Sequence, residues 1–297
     1  MKKAEILDGS GFLYRAFFAF PPLTNKNGEN VNAVYGFFRL ILKNIQTKPD
    51  FFLIARDAPT KTIRHEQYED YKATRTKMPD DLKVQIKKIQ ELVNKLGIPN
   101  LTNPWYEADD IIATIAHGIV KEWDCEVFVV SCDKDLKQLL KPQITFKDPM
   151  KDEIVTEQSF FRENGYQAKN IVDYLSLVGD ASDNIVWVPW IGKKTALDLI
   201  QKFGSVEAIY EDLDAISSSS VKEKLIAWKE SCFHSKELIK WMEVPELASF
   251  DRAQLVNSFD PALWKKILID EEWFTSLQKS LDETKKLYTG LQQVSLF

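Results

Sequence analysis

The sequence predicts an α/β protein with a mostly parallel central sheet, helices on both faces of that sheet, and an all-helical region after it. Short apolar runs alternate with helical patterns through the first half of the chain, which is typical of sheets built from strand–helix units. After about residue 155 only helical patterns remain. A length of 297 residues suffices for one large α/β domain and a smaller helical domain.

The predicted strands and helices of the first half follow each other along the chain. Each strand is a short apolar run, and each helix has apolar residues at helical spacing. The strands are AEILD at 4–8, FFLIAR at 51–56 and EVFVVS at 126–131, and the helices are GFLYRAFFAF, VNAVYGFFRLILKNI, residues 80–96 in PDDLKVQIKKIQELVNKLG, and EADDIIATIAHGIVKEW at 107–123. Pro79 precedes the helix at 80–96 and Gly97 follows it, which are the positions where these residues delimit helices.

Three regions are predicted along the chain. We expect an α/β domain at residues 1–155, a helical domain at 156–235 and a helical C-terminal extension at 236–297. The helical patterns of the second half are TEQSFFRENG, KNIVDYLSLVG, KKTALDLIQKFG, SVEAIYEDL and SSVKEKLIAWKE. A segment at about 60–80 is polar and basic and shows no core face. The apolar runs are far shorter than the roughly 20 residues of a membrane span, so we expect no membrane segment.

Nine acidic residues stand where predicted strands end or helices begin. They are Asp8, Asp57, Glu107, Asp109, Asp110, Asp133, Asp135, Asp180 and Asp183. Ligands bind beyond the carboxyl ends of the strands in such sheets, and several of these side chains are expected to converge there. Two like charges about 4 Å apart cost roughly 4 kcal/mol at an effective dielectric constant near 20, so the cluster predicts a bound cation. Oxygen ligands favour Mg²⁺ or Mn²⁺. The alternative is structural, because acidic residues also stabilise turns and the first turn of a helix.

The net charge of −5 does not exclude nucleic acid as a partner. Without the nine candidate ligands, the remaining residues carry a formal charge of +4, and metal ions would neutralise the site itself. The three cysteines show no metal-binding spacing, which indicates a reducing cytoplasm, and no signal peptide is recognisable. We expect His65, His117 and His234 to be non-catalytic because they lie in unrelated contexts. A phosphate-binding P-loop is absent, so ATP use is not expected.

A resemblance to a known family covers about residues 4–230, and its motifs follow each other in the same order as in that family. The stretches are ILDGSGFLYRAFFAFPPL, NAVYGFFRLI, RDAPTKTIRHEQYEDYKATR, YEADDIIATIA, VVSCDKDLKQLL and LVGDASDNI. They resemble the bacterial five-prime nuclease family, which comprises the 5′→3′ exonuclease domain of DNA polymerase I and its free-standing flap endonuclease relatives. The resemblance implies a PIN-like fold. It also implies a nuclease that uses Mg²⁺ or Mn²⁺, with two or more ions, and cuts DNA at or near 5′ ends and 5′ flaps in replication and repair.

The resemblance also assigns roles to individual residues. All nine carboxylates match metal ligands, with Asp8, Asp57, Glu107, Asp109 and Asp110 in a first metal region and Asp133, Asp135, Asp180 and Asp183 in a second. Residues at about 60–80 match a helical arch over the active site. In this arch, Lys72 and Arg75 are implied to be catalytic, Arg64 to contact the scissile phosphate with them, and Tyr68 and Tyr71 to stack on DNA bases.

The stretch NIVWVPWIGKKTALDLIQKFGS resembles the helix–three-turn–helix motif with which the family binds duplex DNA. The implied phosphate-binding residues are Gly192, Lys193, Lys194 and Thr195, and the loop is a candidate K⁺ site. At several positions where glycine is expected, this sequence has tryptophan, namely Trp105, Trp123, Trp187, Trp190 and Trp228. The chain contains 11 glycines and 8 tryptophans. One hypothesis is therefore that the organism reads UGA codons as glycine, and the alternative is genuine tryptophan in a divergent loop.

The last five residues, QVSLF, resemble the bacterial sliding-clamp-binding motif. Gln293, Leu296 and Phe297 are the predicted contacts with the clamp. We expect a free-standing, monomeric bacterial enzyme of the cytoplasm, associated with the nucleoid. Because the sequence ends at residue 297, no polymerase module is expected to follow. Two alternatives stay open, namely a DNA-structure-binding protein with weak catalysis and a PIN-like ribonuclease.

Overall fold

One sheet of six strands is the frame of the part of the chain that the structure describes. The structure is a computed structural model, and it describes residues 1–248, 251–271 and 274–289. The strands are β1 (Lys2–Asp8), β2 (Phe51–Ala55), β3 (Asn100–Leu101), β4 (Cys125–Val130), β5 (Ile144–Asp148) and β6 (Glu153–Val155). Their order in space is β3-β2-β1-β4-β5-β6. The first five are parallel, and β6 pairs with β5 in the antiparallel direction.

The register of the central strands decides which residues meet at the sheet edge. Ile6 of β1 lies opposite Leu53 of β2 on one side and Val129 of β4 on the other. Since the three strands are parallel, the residues that follow β2 and β4 lie beside the end of β1. This edge is where ligands bind in open parallel sheets.

Helices cover both faces of the sheet and form the C-terminal half of the chain. Among the described residues the α-helices are α1 (Gly9–Ala19), α2 (Asn32–Ile45), α3 (Ile63–Gln67), α4 (Asp80–Lys95), α5 (Ala108–Glu122), α6 (Glu157–Asn164), α7 (Ile171–Val178), α8 (Lys193–Phe203), α9 (Val206–Glu211), α10 (Ser219–Ala227), α11 (Lys229–Ile239), α12 (Pro261–Trp264) and α13 (Gln278–Thr289). Short 3₁₀ helices lie at Lys134–Leu139, Ala168–Asn170, Leu213–Ala215, Pro245–Leu247, Arg252–Leu255 and Thr275–Leu277, and a π-helical segment at Lys265–Glu271.

Alternating side chains of the strands enter two hydrophobic cores on opposite faces of the sheet. Ile6 and Leu53 belong to the core that α5 covers, whereas Leu7 and Phe52 belong to the core that α2 and α4 cover. Trp264 of α12 is 1% exposed in the second core, so the C-terminal helices pack on the α/β domain. Each such buried side chain contributes about 1.5–3 kcal/mol. A third, smaller core lies among α7, α8, α9, α10 and α11.

The structure confirms the predicted fold class and differs from the prediction in detail. The strands β3 and β6 contain only 2 and 3 residues, and Lys147 and Asp148 interrupt the apolar run of β5, so none of the three shows a strand pattern in the sequence. The arch expected at about 60–80 is less helical than predicted, because α3 contains 5 residues and turns follow it. The three domain limits stay a prediction. Among the described residues, no helix has both the length and the apolar character to cross a bilayer.

Candidate functional site

Three aspartates from neighbouring parallel strands meet at the carboxyl edge of the sheet. Asp8 is the last residue of β1, Asp57 follows β2, and Asp133 follows β4. Burial, together with the charges of Asp57 and Asp133, raises the pKa of Asp8 to about 6. The three carboxylates are therefore close enough to interact electrostatically, as the parallel strand directions predict.

Backbone hydrogen bonds position these aspartates. Asp8 caps α1, and its Oδ1 accepts a hydrogen bond from the N–H of Gly11 at 2.9 Å. Oδ1 of Asp57 accepts from the N–H of Ala108 in the first turn of α5 at 2.8 Å. Asp133 caps the following 3₁₀ helix in the same way. N–H groups at a helix start favour a negative charge. Asp8 and Asp133 are therefore both helix caps and members of the site, and Asp57 is held by the first turn of α5.

The start of α5 brings two further carboxylates to this edge. Glu107 is the N-cap of α5, and Asp109 lies in its first turn. The pKa of Asp109 is raised well above its ordinary value, because its carboxyl is removed from water and because Asp133 and Asp8 lie nearby. The carboxylate of Asp109 therefore lies close enough to both aspartates to interact with their charges.

Asp135 and Asp180 extend the site toward the helical region. Burial raises the pKa of Asp135 to about 8, with further contributions from the charges of Asp133 and Asp180. Its Oδ1 is buried and has no hydrogen-bond partner among the described residues. Asp180 is better compensated, since it accepts from the N–H of Ser182 at 2.8 Å and lies 3.0 Å from Lys134 Nζ. These partners lower the pKa of Asp180 although burial acts in the opposite direction.

The donor set fits divalent cations. Burial and the repulsion of neighbouring carboxylates raise the pKa values of Asp8, Asp109 and Asp135, and a bound cation would relieve this repulsion. All the donors are oxygens, which suits Mg²⁺ or Mn²⁺. Across residues 1–248, 251–271 and 274–289, no group of three His, Cys, Asp or Glu side chains is already arranged to hold an ion.

The predicted cations Lys72 and Arg75 lie over the carboxylates. Lys72 Nζ is 2.9 Å from Glu107 Oε1 and 3.6 Å from Asp183 Oδ2, and Arg75 Nη2 is 2.6 Å from Asp183 Oδ1. The N–H of Lys72 also donates to the carbonyl of Asp183 at 3.1 Å. Burial raises the pKa of Glu107, but Lys72 and Arg64 outweigh this effect and lower it. The segment after α3 thus brings positive charge to the acidic edge.

Asp110 and Arg64 form a buried ion pair, which argues against a metal-binding role of Asp110 and a phosphate contact of Arg64. Arg64 Nη1 and Nη2 lie 2.6 and 2.8 Å from the two oxygens of Asp110, and the residues are 3% and 0% exposed. Asp110 also accepts from the N–H groups of Glu107 and Met242, at 3.1 and 2.7 Å. Arg64 also donates to the carbonyl of Leu238 at 2.9 Å. The carboxylate of Asp110 thus already accepts four hydrogen bonds, and the guanidinium of Arg64 is buried against it. The sequence-based roles of both residues stay predictions.

We expect Arg64→Met to lower the free energy of unfolding by about 3–5 kcal/mol, because it leaves the charge of Asp110 buried without a partner. Urea unfolding monitored by circular dichroism measures this change. The double variant Arg64→Met/Asp110→Asn should recover part of the loss, since it removes the stranded charge. Arg162→Met on the exposed surface of α6 is the matched control, with an expected change within about 0.5 kcal/mol. An Arg64→Met protein as stable as this control would contradict the assignment.

The two tyrosines of the arch already have contacts within the protein. Tyr71 is 4% exposed, and its hydroxyl donates to Glu107 Oε2 at 3.0 Å. Tyr68 is half-buried, and its ring packs edge-on against His234 with the centroids 5.1 Å apart. Tyr71 is therefore buried and holds Glu107 by its hydroxyl. The ring of Tyr68 already packs against His234 on one side. Stacking of either tyrosine on a DNA base stays a prediction.

The start of α8 has the features of a phosphate-binding site. Gly192, Lys193 and Lys194 are exposed, and Thr195 is half-buried. Gly192 occupies the N-cap position, and within the described chain no side chain caps α8 and no acidic residue lies in its first turn. Free N–H groups and two lysines at a helix start attract phosphate. The DNA-binding role of these four residues stays a prediction.

One of the five unexpected tryptophans has a backbone conformation that favours glycine. Trp190 has φ of +68° and is 82% exposed. Side chains with a Cβ disfavour this left-handed region, which glycine adopts freely. Trp187 and Trp105 are also exposed, whereas Trp123 packs on Phe51 with the ring centroids 5.0 Å apart. The recoding hypothesis stays a prediction, and UGG codons in the gene at positions 187 and 190 would end it.

Trp190→Gly should stabilise the protein by about 1 kcal/mol, because it relieves the left-handed strain and exposes less apolar surface. Binding of a DNA duplex should also tighten, since the loop backbone is then free to approach a phosphate. Both effects can be measured, by urea unfolding and by fluorescence anisotropy. Phe161→Gly is the control, because Phe161 is also an exposed aromatic residue, 51% exposed, but lies within α6, where glycine is not expected. Equal effects of the two substitutions would argue against a glycine position at 190.

Two residues of the site were not singled out by the sequence. Lys134 pairs with Asp180, and Ser10 Oγ accepts a hydrogen bond from the N–H of Asp57 at 2.8 Å. Their positions beside predicted metal ligands could have indicated them, because Lys134 lies inside the CDKD motif and Ser10 inside Asp-Gly-Ser. Neither contact is visible without the fold, since each joins segments that are distant along the chain.

Two family models match the chain over most of its length. The model of the 5′-3′ exonuclease N-terminal resolvase-like domain matches residues 3–165, and the model of the 5′-3′ exonuclease C-terminal SAM fold matches residues 166–256. The chain belongs to the 5′-3′ exonuclease family. The resemblance seen in the sequence is thereby confirmed.

Relatives of this exonuclease-family chain include free-standing and fused proteins. A 5′-3′ exonuclease of Aquifex aeolicus (strain VF5) is 37% identical over 298 residues, which covers 100% of both chains. DNA polymerase I of Caldicellulosiruptor bescii is 40% identical over 80% of this chain and 28% of the polymerase. DNA polymerase I of Bacillus subtilis (strain 168) is 39% identical over 87% of this chain and 31% of the polymerase. The chain therefore spans about three tenths of these polymerases.

Solved structures share the fold at lower sequence identity. T5 5′-exonuclease with bound divalent zinc ions has a TM-score of 0.66 at 20% identity, over 97% of this exonuclease-family chain and 99% of the other. The catalytic core of Rad2 in complex with a DNA substrate has a TM-score of 0.63 at 18% identity, over 96% and 92% of the two chains. These likenesses establish the fold.

Proposed function

We propose that this chain is a Mg²⁺- or Mn²⁺-dependent 5′→3′ exonuclease and 5′-flap endonuclease that acts on DNA in replication and repair. The observation that carries the proposal is the convergence of carboxylates at one sheet edge, several of them buried, with Lys72 and Arg75 paired to this group. Membership of the 5′-3′ exonuclease family supports it. Both the T5 structure with bound metal ions and the Rad2 structure with DNA have the same fold.

Eight of the nine predicted carboxylates are the proposed ligands. Asp8, Asp57, Glu107 and Asp109 would hold a first ion, and Asp133, Asp135, Asp180 and Asp183 a second. When bound, such ions lower the pKa of a coordinated water and stabilise the charge that develops on the phosphate. Asp110 is left out because Arg64 and two backbone N–H groups already saturate it.

The protein's own contribution is to position the phosphate and neutralise its charge. Lys72 is largely buried and Arg75 is half-exposed, with side chains 14% and 53% exposed, so the two span the depth of the site. Both cations pair with Glu107 or Asp183, and a phosphate oxygen would compete for the same donors. Hydrogen bonds from Tyr71 and Lys72 orient Glu107. Donors that are already oriented stabilise developing charge with little reorganisation.

The start of α8 would bind the phosphate backbone of the duplex. Gly192 allows close approach of the backbone, and Lys193 and Lys194 add positive charge. A K⁺ ion at the preceding loop belongs to the same proposal. The predicted clamp contacts Gln293, Leu296 and Phe297 lie outside the described residues, so clamp binding stays a prediction. The monomeric state also stays a prediction.

A labelled 5′-flap duplex tests the proposed function. Cleavage near the flap junction is expected with Mg²⁺ or Mn²⁺ and not with EDTA, because the carboxylates alone supply no cation for the phosphate. A 3′-flap duplex of the same length serves as the matched control and should remain intact. Binding of the 5′ flap without cleavage would instead favour a DNA-structure-binding protein. Preferential cleavage of single-stranded RNA would favour a PIN-like ribonuclease.

A further inference from the structure

Ser131 connects the two groups of proposed metal ligands. It follows the last residue of β4 and is 0% exposed. Its Oγ donates a hydrogen bond to Asp8 Oδ2 at 2.7 Å and accepts one from the N–H of Asp133 at 2.9 Å. The hydroxyl of Ser131 thus links the carboxylate of Asp8, in the first group, to the backbone of Asp133, in the second group.

We propose that Ser131 is a positioning residue of the metal site, one that orients Asp8 and sets its distance from Asp133. A hydroxyl has a single hydrogen, so donation to Asp8 leaves the lone pairs of Oγ to accept from Asp133. Both bonding capacities are used, and Ser131 itself has no water-exposed surface. The backbone of Ser131 is held as well, since its N–H donates to the carbonyl of Lys147 in β5 at 3.1 Å.

The contact fixes the rotamer of Asp8 from two sides. Oδ1 is held by the N–H of Gly11 at 2.9 Å and Oδ2 by Ser131 at 2.7 Å. Each carboxylate oxygen retains a further lone pair, so these bonds orient the group without consuming its capacity to bind a cation. Partners of this kind raise metal affinity or activity about 10–100-fold in metalloproteins.

Other serines near the site do not join the two groups. Ser10 accepts from the backbone of Asp57, and Ser182 donates to Asp180 within a single turn. Ser131 differs because its bonds cross from β4 to β1, over 123 residues of sequence. Its loss therefore changes the relative position of the two groups rather than the conformation of one turn.

The inference rests on the proposed metal-dependent function, and its test reads metal binding separately from cleavage. Mn²⁺ binding is measured by electron paramagnetic resonance on the full chain without DNA. We expect Ser131→Ala to weaken Mn²⁺ binding about 10–100-fold, and Ser131→Thr, which keeps the hydroxyl, to stay within about threefold of wild type. Thr284→Val is the matched control, because Thr284 is also 0% exposed and its hydroxyl also donates once and accepts once, in α13.

Cleavage of the 5′-flap duplex supplies the second readout. The rate constant kcat should fall in Ser131→Ala while KM for DNA is unchanged, and added Mn²⁺ should restore part of kcat. Should Ser131→Ala fail to fold, Ser131→Cys replaces it, since the thiol is a weak donor of similar size, and an intermediate Mn²⁺ affinity is expected. Mn²⁺ affinity within twofold of wild type in the alanine or cysteine variant overturns the inference, as does equal weakening by threonine. If wild type binds Mn²⁺ but cuts no flap, the proposed function fails while the Mn²⁺ comparison still decides the role of Ser131.

Discussion

Asp133→Asn is expected to abolish flap cleavage and, at the same time, to stabilise the metal-free protein. Asp133 raises the pKa values of Asp8, Asp109 and Asp135, so it lies among the other carboxylates of the site. Loss of its charge removes a proposed ligand of a cation that supplies several kcal/mol of charge stabilisation. A fall in kcat of about 10³-fold or more follows.

The prediction is specific because activity and stability are expected to change in opposite directions in Asp133→Asn. Without metal, the neutral amide removes repulsion, and we expect the free energy of unfolding in EDTA to rise by about 1–2 kcal/mol. The stabilisation that Mg²⁺ confers should shrink in the same variant. Urea unfolding with EDTA and with Mg²⁺, together with single-turnover cleavage, measures these three effects.

Asp124→Asn is the matched control for Asp133→Asn. Asp124 is exposed and precedes β4, whereas Asp133 follows the same strand at its opposite end. We expect the control to cleave at the wild-type rate and to keep its stability within about 0.5 kcal/mol. Cleavage by Asp133→Asn at the wild-type rate would refute the site assignment.

Lys72→Ala is expected to lower kcat about 10²–10³-fold, the usual effect of losing one oriented donor to a developing negative charge. Lys72 Nζ lies between Glu107 and Asp183, at 2.9 and 3.6 Å. It therefore stands where a phosphate bound to the metal ions would need a positive charge. Single-turnover cleavage of the 5′-flap duplex measures the effect, with DNA affinity measured in parallel by anisotropy.

Two further variants separate position from charge. Lys77→Ala removes an exposed lysine from the same segment, and we expect its rate to remain within about threefold of wild type. Lys72→Arg keeps the positive charge but places it on a planar guanidinium group, so this variant should retain part of the activity. If Lys72→Ala and Lys77→Ala cleave at equal rates, the catalytic role of Lys72 is wrong.

Much of the site follows from the sequence because strand ends are local features. Asp8, Asp57 and Asp133 each follow an apolar run, and parallel strand direction alone predicts their convergence. Glu107 and Asp109 are likewise recognisable at the start of an amphipathic helix. These inferences need no knowledge of how distant segments pack.

The sequence by itself determined the fold class, the family and most of the acidic set, since these depend on motifs within short stretches. The tertiary structure decided which charges are free to act. Arg64 and Asp110 stand 46 residues apart along the chain and pair with each other in the interior. Tyr71 is turned onto Glu107, and Ser131 joins β4 to β1. The physical reason is that burial and pairing arise between distant segments, whereas residue type and spacing describe neighbours along the chain.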